Sequence, residues 1–179
     1  MQNDLFEKAP VHKAYFSFAL PVVFSMVISL IYNMADTYFI AGTGNTNLVA
    51  GVSLGAPIFT LMIALGDIFG LGGSSVISRL FGQKKDEDGK RLSVFCFYGA
   101  IVCGVIVAAV MMIFRAPILQ VLGADSDTIV YASQYYTWLV LGAPFIILVY
   151  TPSNLLRTEG FAVGSMTGTV LGAVVNIIL

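Results

Sequence analysis

Five long apolar runs make up most of the chain, and its few charges lie almost entirely between them. The runs are 14–40, 48–81, 92–114, 131–156 and 162–179. A helix needs roughly 20 apolar residues to cross a hydrocarbon core of about 30 Å. In lipid every backbone N–H and C=O must be paired inside the structure, so runs this long span as helices. Composition agrees: of 179 residues, 58% are hydrophobic and 11% charged, against about 25% charged in a soluble domain. The expected fold is an all-α polytopic membrane protein. The run 48–81 exceeds what the core needs and is expected to tilt or to extend into the cytoplasm. A net charge of −1 leaves no field to attract nucleic acid. The first run is far longer than the roughly 7–15 residue core of a signal peptide, and no small-residue cleavage site follows. Cys96 and Cys103 make no CxxC and have no histidine nearby, so they read as small packing residues.

The cations set the orientation. Lys8 and Lys13 precede the first run; Arg79, Lys84, Lys85, Lys90 and Arg91 flank the end of the second; Arg157 follows the fourth. Only Arg115 falls on the other side, so eight of the nine Lys and Arg share one face of the membrane. That face, with the N-terminus, is expected to be cytoplasmic, in a plasma (inner) membrane. Gly42 to Asn47 is a polar outer turn, and Ala124-Asp-Ser-Asp127 an outer loop with a helix N-cap. An odd number of spans with no polar tail suggests the N-terminal part of something longer.

Polar groups inside the runs are the candidates for function, because a carboxylate there costs roughly 2.5–3.5 kcal/mol on insertion scales. There are two, Asp36 and Asp67. Tyr32 and Asn33 precede Asp36 by four and three residues, which puts all three on one helix face. They form either a shell around a proton or Na⁺, or a polar patch that meets water at the outer interface. Asp67 falls in the inner half of the second run, lining a vestibule or taking a donor such as Ser74 or Ser75. Pro21 deletes a backbone hydrogen bond within the first run and serves as a hinge or as simple packing. Pro57, Pro144 and Pro152 read as ordinary kinks.

Gly70-Leu-Gly-Gly-Ser-Ser75 lacks the GK[ST] ending of a phosphate loop and reads as a close helix contact. Gly164, Gly168 and Gly172 make a similar face on the fifth run. Tyr135, Tyr136 and Trp138 form an interfacial belt or an aromatic wall for a lipophilic cation. Asn154 faces a cavity or caps backbone. Tyr136, Asn154 and Asp67 are therefore candidate substrate-cavity residues. His12 is interfacial, and no Ser-His-Asp set, metal cluster or carboxylate pair suggests an enzyme.

Six strings now stand in order: Phe18-Ala-Leu-Pro21, Ala35-Asp-Thr-Tyr-Phe-Ile40, Gly51-Val-Ser-Leu-Gly-Ala-Pro57, Ser78-Arg-Leu-Phe-Gly82, Leu156-Arg-Thr-Glu-Gly160 and Asn176-Ile-Ile-Leu179. Their order and spacing resemble the multidrug and toxic compound extrusion (MATE) family, in particular its bacterial drug-exporting branch, over almost the whole chain. The resemblance implies transmembrane helices 1–5 of a six-helix bundle, half of a twelve-helix transporter whose C-terminal bundle is missing from 1–179. It implies a secondary active antiporter, not an enzyme, that exports amphiphilic or cationic drugs in exchange for H⁺ or Na⁺. No cofactor is implied beyond that ion. Asp36, Tyr32 and Asn176 take the family's ion-coupling positions, with Na⁺ placed at Asp36 and Asn176, and Pro21 takes that of its bending proline. Two other readings stand beside it. One is a lipid-linked saccharide flippase of the same wider fold, which would want a cationic cavity that the runs lack. The other is a non-transporting membrane assembly subunit.

Overall fold

The structure, a computed structural model, describes residues 10–178. Among these all regular structure is helical. Lys8 and Leu179, and the side chain of Lys13, lie outside what is described. The helices are α1 (Val11–Ala41), α2 (Thr46–Ser53), α3 (Ala56–Asp67), α4 (Gly73–Gly82), α5 (Asp86–Ile113), α6 (Arg115–Val121), α7 (Ile129–Leu141), α8 (Ala143–Thr158) and α9 (Ala162–Ile178), with a π-helical turn at Ile68–Gly72 between α3 and α4. The chain divides into two compact units. One is Ile40–Leu155, and the other joins the residues before 40 to those after 155.

In the second of these units, α1 runs uninterrupted through Pro21. Proline has no N–H to give the Ser17 carbonyl, and the Ser25 hydroxyl donates to the Pro21 carbonyl at 2.9 Å. The last helix, α9, has 17 residues, slightly under the roughly 20 that a perpendicular crossing takes.

In the Ile40–Leu155 unit, the second run is a single apolar stretch, Thr46–Gly82. Asn45 caps its start by accepting from the Asn47 and Leu48 amides, 3.1 Å each, while its own amide donates to the Tyr131 hydroxyl at 3.1 Å. The stretch breaks at Gly55, where Pro57 begins a new helix, and widens at the π turn. One edge of it is bare of side chains. A Cβ on Gly51 would stand 2.9 Å from the Ala132 amide nitrogen, and one on Gly66 2.8 Å from the Ile147 carbonyl. Backbone therefore lies against backbone along α7 and α8, as small residues permit in membrane helices. Gly70 and Gly73 of the glycine string do make such contacts, with α8 and with Cys96 of α5; Gly72 faces open space, as do Gly168 and Gly172 of α9.

The third span, α5, opens with Asp86, Glu87 and Asp88, a favourable charge for a helix N-terminus. Its first turns carry an exposed Lys90–Glu87 pair at 2.9 Å, which water screens. The fourth run is not one helix: α7 and α8 meet at a bend of 47°. Pro144 sits just past that break, in contact range of Gly104, so its role is to end one helix rather than to kink it. The core of this unit centres on Met62, Ala100, Tyr136, Val140 and Ile147, all fully buried.

Candidate functional site

The first candidate cluster lies on α1. Tyr32 and Asp36 are half-buried and Asn33 is exposed. One helical turn separates the phenol from the carboxylate, within electrostatic reach of each other. The Asn33 amide turns back to donate to the Ser29 carbonyl at 2.8 Å, and the Thr37 hydroxyl donates to the Asn33 carbonyl at 2.9 Å. Asn33 therefore spends one donor on its own helix and keeps its amide oxygen for other partners. Asn176 is exposed on α9, and no hydrogen bond joins it to Asp36 among the described residues. Nor do the described residues hold any group of three or more His, Cys, Asp or Glu fit to bind a metal. A cation at Asp36 would have to be held by one carboxylate with neutral oxygens.

The second cluster corrects an expectation. Asp67, half-buried at the end of α3, does not take its donor from Ser74 or Ser75. The Ser74 hydroxyl donates to the Leu71 carbonyl at 3.0 Å. The donor to Asp67 Oδ1 is Asn154 Nδ2 of α8, at 3.3 Å. The same nitrogen donates to the Tyr150 carbonyl at 2.9 Å, so Asn154 both touches backbone and reaches a second span. It is 8% exposed, which removes it from an open cavity wall. Hydropathy could not pair these residues, because 87 positions separate them.

Tyr136 is likewise no wall for a ligand. It is 1% exposed, and its hydroxyl donates to the Met111 carbonyl at 2.6 Å. A buried tyrosine needs such a partner. Trp138 is 76% exposed. Arg115 is held by Ser133: its Nη2 donates to the Ser133 carbonyl at 3.0 Å and to the Ser133 hydroxyl. The tie pins the short α6 against α7, and nothing in the sequence announced it. Outside the spans, Asp125 accepts from the Thr128 hydroxyl (2.7 Å) and amide (2.9 Å). Those bonds hold its carboxyl below the usual range.

Comparison with known proteins adds an independent line. The MatE family model matches residues 21–179. The multidrug export protein MepA of Staphylococcus aureus (strain NCTC 8325 / PS 47) is 37% identical over 174 residues, covering 97% of this chain and 39% of its own. Among solved structures, an outward-facing multidrug resistance MATE family transporter of the MOP superfamily superposes with a TM-score of 0.92 at 28% identity, over 99% of this chain and 39% of its own. The MATE transporter ClbM in complex with Rb⁺ gives 0.87 at 25% identity, over 96% and 39%. The chain thus spans about two fifths of the length of the proteins it matches.

Proposed function

The chain belongs to the MatE family, a family of membrane transporters, and from that premise we propose that it forms the first helical bundle of an ion-coupled multidrug exporter. Its substrates are amphiphilic or cationic small molecules, and its partner is a second, C-terminal bundle. The observation that carries this reading is Asp36, a half-buried carboxylate on a membrane span, one turn from the half-buried Tyr32 phenol. An acid placed there at a cost of a few kcal/mol has a use if it alternately holds and releases H⁺ or Na⁺. Asn33 and Asn176 would lend amide oxygens to a Na⁺-loaded state, since hard cations take oxygen ligands.

Coupling then follows from differential affinity. An ion moves the conformational equilibrium only as far as it binds one state better than the other. Loading Asp36 from outside neutralises the carboxylate and changes which bend of α1 about Pro21 is favoured. The missing N–H at Pro21 leaves the Ser17 carbonyl without its helical donor and lowers the cost of that bend, while the Ser25 hydroxyl back-bonds to the Pro21 carbonyl one turn on. The N-terminus is on the cytoplasmic side. A flippase would want cations deep within the spans to meet pyrophosphate, and Arg79, Arg115 and Arg157 stand only near span ends. The test is efflux of a cationic dye from proteoliposomes holding the protein as its gene encodes it. Efflux that rises with an imposed inward H⁺ or Na⁺ gradient is expected. Efflux indifferent to both gradients would leave the reading without its coupling step.

A further inference from the structure

The end of the second span and the start of the third form a close antiparallel hairpin. Gly73 of α4 faces the Cys96 sulfur of α5, and Gly89 of α5 faces the Phe81 ring; a Cβ on either glycine would stand 2.5 Å from its neighbour. Those two contacts fix the register of α4 against α5. In that register Arg79 lies level with Arg91, and Val76 level with Val94. All four are exposed, so each arginine stands one turn from an exposed apolar side chain deeper in its span. Phe95, also one turn deeper than Arg91, is exposed as well. A guanidinium at the edge of a lipid-facing apolar surface lies at the depth of lipid headgroups.

Lys84 and Lys85 close the hairpin, both exposed. Lys84 holds a left-handed backbone, φ 59°, where the matching positions after α6 and α8 are Gly123 and Gly160. A full side chain is disfavoured in that conformation, and residues kept in such conformations concentrate at functional positions. Counter-charge is limited. Asp86, Glu87 and Asp88 occupy the first turn of α5, where the positive end of the helix attracts them, and Glu87 also holds Lys90. Residues 79–91 carry five cations and three acids, a net charge of +2. Among the described residues, Arg79, Lys84, Lys85 and Arg91 have no acidic partner within ion-pair distance.

We propose that this end of the hairpin is a binding surface for anionic phospholipids, with Arg79 and Arg91 taking lipid phosphates and Lys84 and Lys85 meeting the charge beyond them. The planar fork of arginine suits phosphate oxygens in pairs, whereas a lysine ammonium acts as a point charge. Every phospholipid has the phosphate, so the preference for an anionic one comes from the uncompensated cations: a zwitterionic headgroup brings its own cation against the two lysines. A soluble acidic partner would leave Val76, Val94 and Phe95 uncovered, whereas a phospholipid covers them with its acyl chains. The proposal needs only the membrane setting of these spans, so it stands or falls apart from export.

Brominated phospholipids test it, because they quench a tryptophan only on contact. Trp138→Phe removes the single tryptophan, and Phe95→Trp places one a turn from Arg91. The protein as its gene encodes it, with these two changes, is reconstituted in nanodiscs of phosphatidylcholine and phosphatidylglycerol, one or the other brominated. Phosphatidylglycerol should be enriched at this tryptophan by roughly fivefold, about the worth of one cation near a charged surface. Arg79→Gln with Arg91→Gln should remove most of the enrichment, as should sodium chloride at about 1 M, where the screening length is about 3 Å. Lys84→Gly should lower it while relaxing the backbone, which separates the use of that side chain from folding. The protein with Trp138 and Phe95 intact is the reference and should show no such enrichment. The lipid comparison within one protein leaves the cations in place, so it carries the test even if the double arginine variant does not fold. Equal quenching by the two lipids, the same enrichment at Trp138, or an enrichment that survives loss of both arginines would overturn the proposal.

Discussion

A Cβ placed on Gly70 would stand 2.7 Å from Asn154 Nδ2 and 2.8 Å from the Tyr150 carbonyl, whereas one on Gly72 meets nothing within 4 Å. Backbone cannot yield as a side chain can, so Gly70→Ala is expected to cost about 1–3 kcal/mol. Gly72→Ala is expected to be neutral or to gain up to about 1 kcal/mol from helix propensity. Thermal unfolding in detergent compares the two, and equal midpoints would deny the close approach of α8. At the loop, the Thr128 hydroxyl and amide keep Asp125 below its ordinary range. A depressed carboxyl contributes stability above its unfolded value of about 3.9 and loses it as pH falls through the folded value. Amide exchange at Thr128 should therefore be protected down to about pH 4 and quicken below it, while Asp125→Asn, which keeps the acceptor oxygen, stays flat. Residues one turn apart, such as Tyr32 and Asp36, are legible in sequence because helical spacing alone brings them together. The Asp67–Asn154 and Arg115–Ser133 ties were not legible, because each depends on how two spans pack.

Three helices end in the same way, which makes the element scale testable. After α4 the Lys85 amide donates to Leu80 and the Lys84 amide to Phe81, 2.9 Å each; after α6, Ala124 donates to Leu119 and Gly123 to Gln120, 3.0 Å each; after α8, Phe161 donates to Leu156 at 2.8 Å and Gly160 to Arg157 at 3.1 Å. This is the Schellman closure, whose penultimate residue is left-handed and usually glycine. Gly123 and Gly160 obey, with φ of 90°, but Lys84 holds φ 59° with a full side chain. Lys84→Gly is expected to stabilise the α4–α5 connection by about 1 kcal/mol, and Gly123→Ala to cost a similar amount. Chemical denaturation in mixed micelles reads both, and opposite signs from these would remove the closure as their cause. Hydropathy marks apolar runs, and the helices extend past several of them, α5 starting at Asp86 rather than at 92. It could not reveal the break between α7 and α8, since Gly142-Ala-Pro144 is itself apolar, nor the π turn, which changes hydrogen-bond register without changing composition.

Across the whole molecule, the account depends on which side of the membrane each loop occupies. In a background carrying Cys96→Ala and Cys103→Ala, a cysteine at Thr43 should react with an impermeant reagent in intact cells, and one at Asp88 only after the membrane is opened. Reversed labelling would invert the cation count and place Asp36 in the inner half of α1. The helical class was legible in sequence because it follows from length and polarity, whereas among the described residues three helical stretches are long and apolar enough to span, four if the bent α7–α8 pair is one span, and α9 is shorter. The site was legible only as far as Asp36 and its neighbours on α1, because a meeting with Asn176 depends on packing that no spacing encodes. The central claim is that the Asp36 carboxylate couples ion entry to export. Asp36→Asn keeps the size and most hydrogen bonding of the side chain and removes only its charge and its proton. The decisive measurement is dye efflux from proteoliposomes under an imposed H⁺ or Na⁺ gradient, with wild type and Asp36→Asn at matched incorporation and dye binding measured alongside. The account predicts that Asp36→Asn binds dye yet loses the gradient-dependent part of efflux; gradient-dependent rates equal to wild type would contradict it and leave Asp36 a structural polar residue.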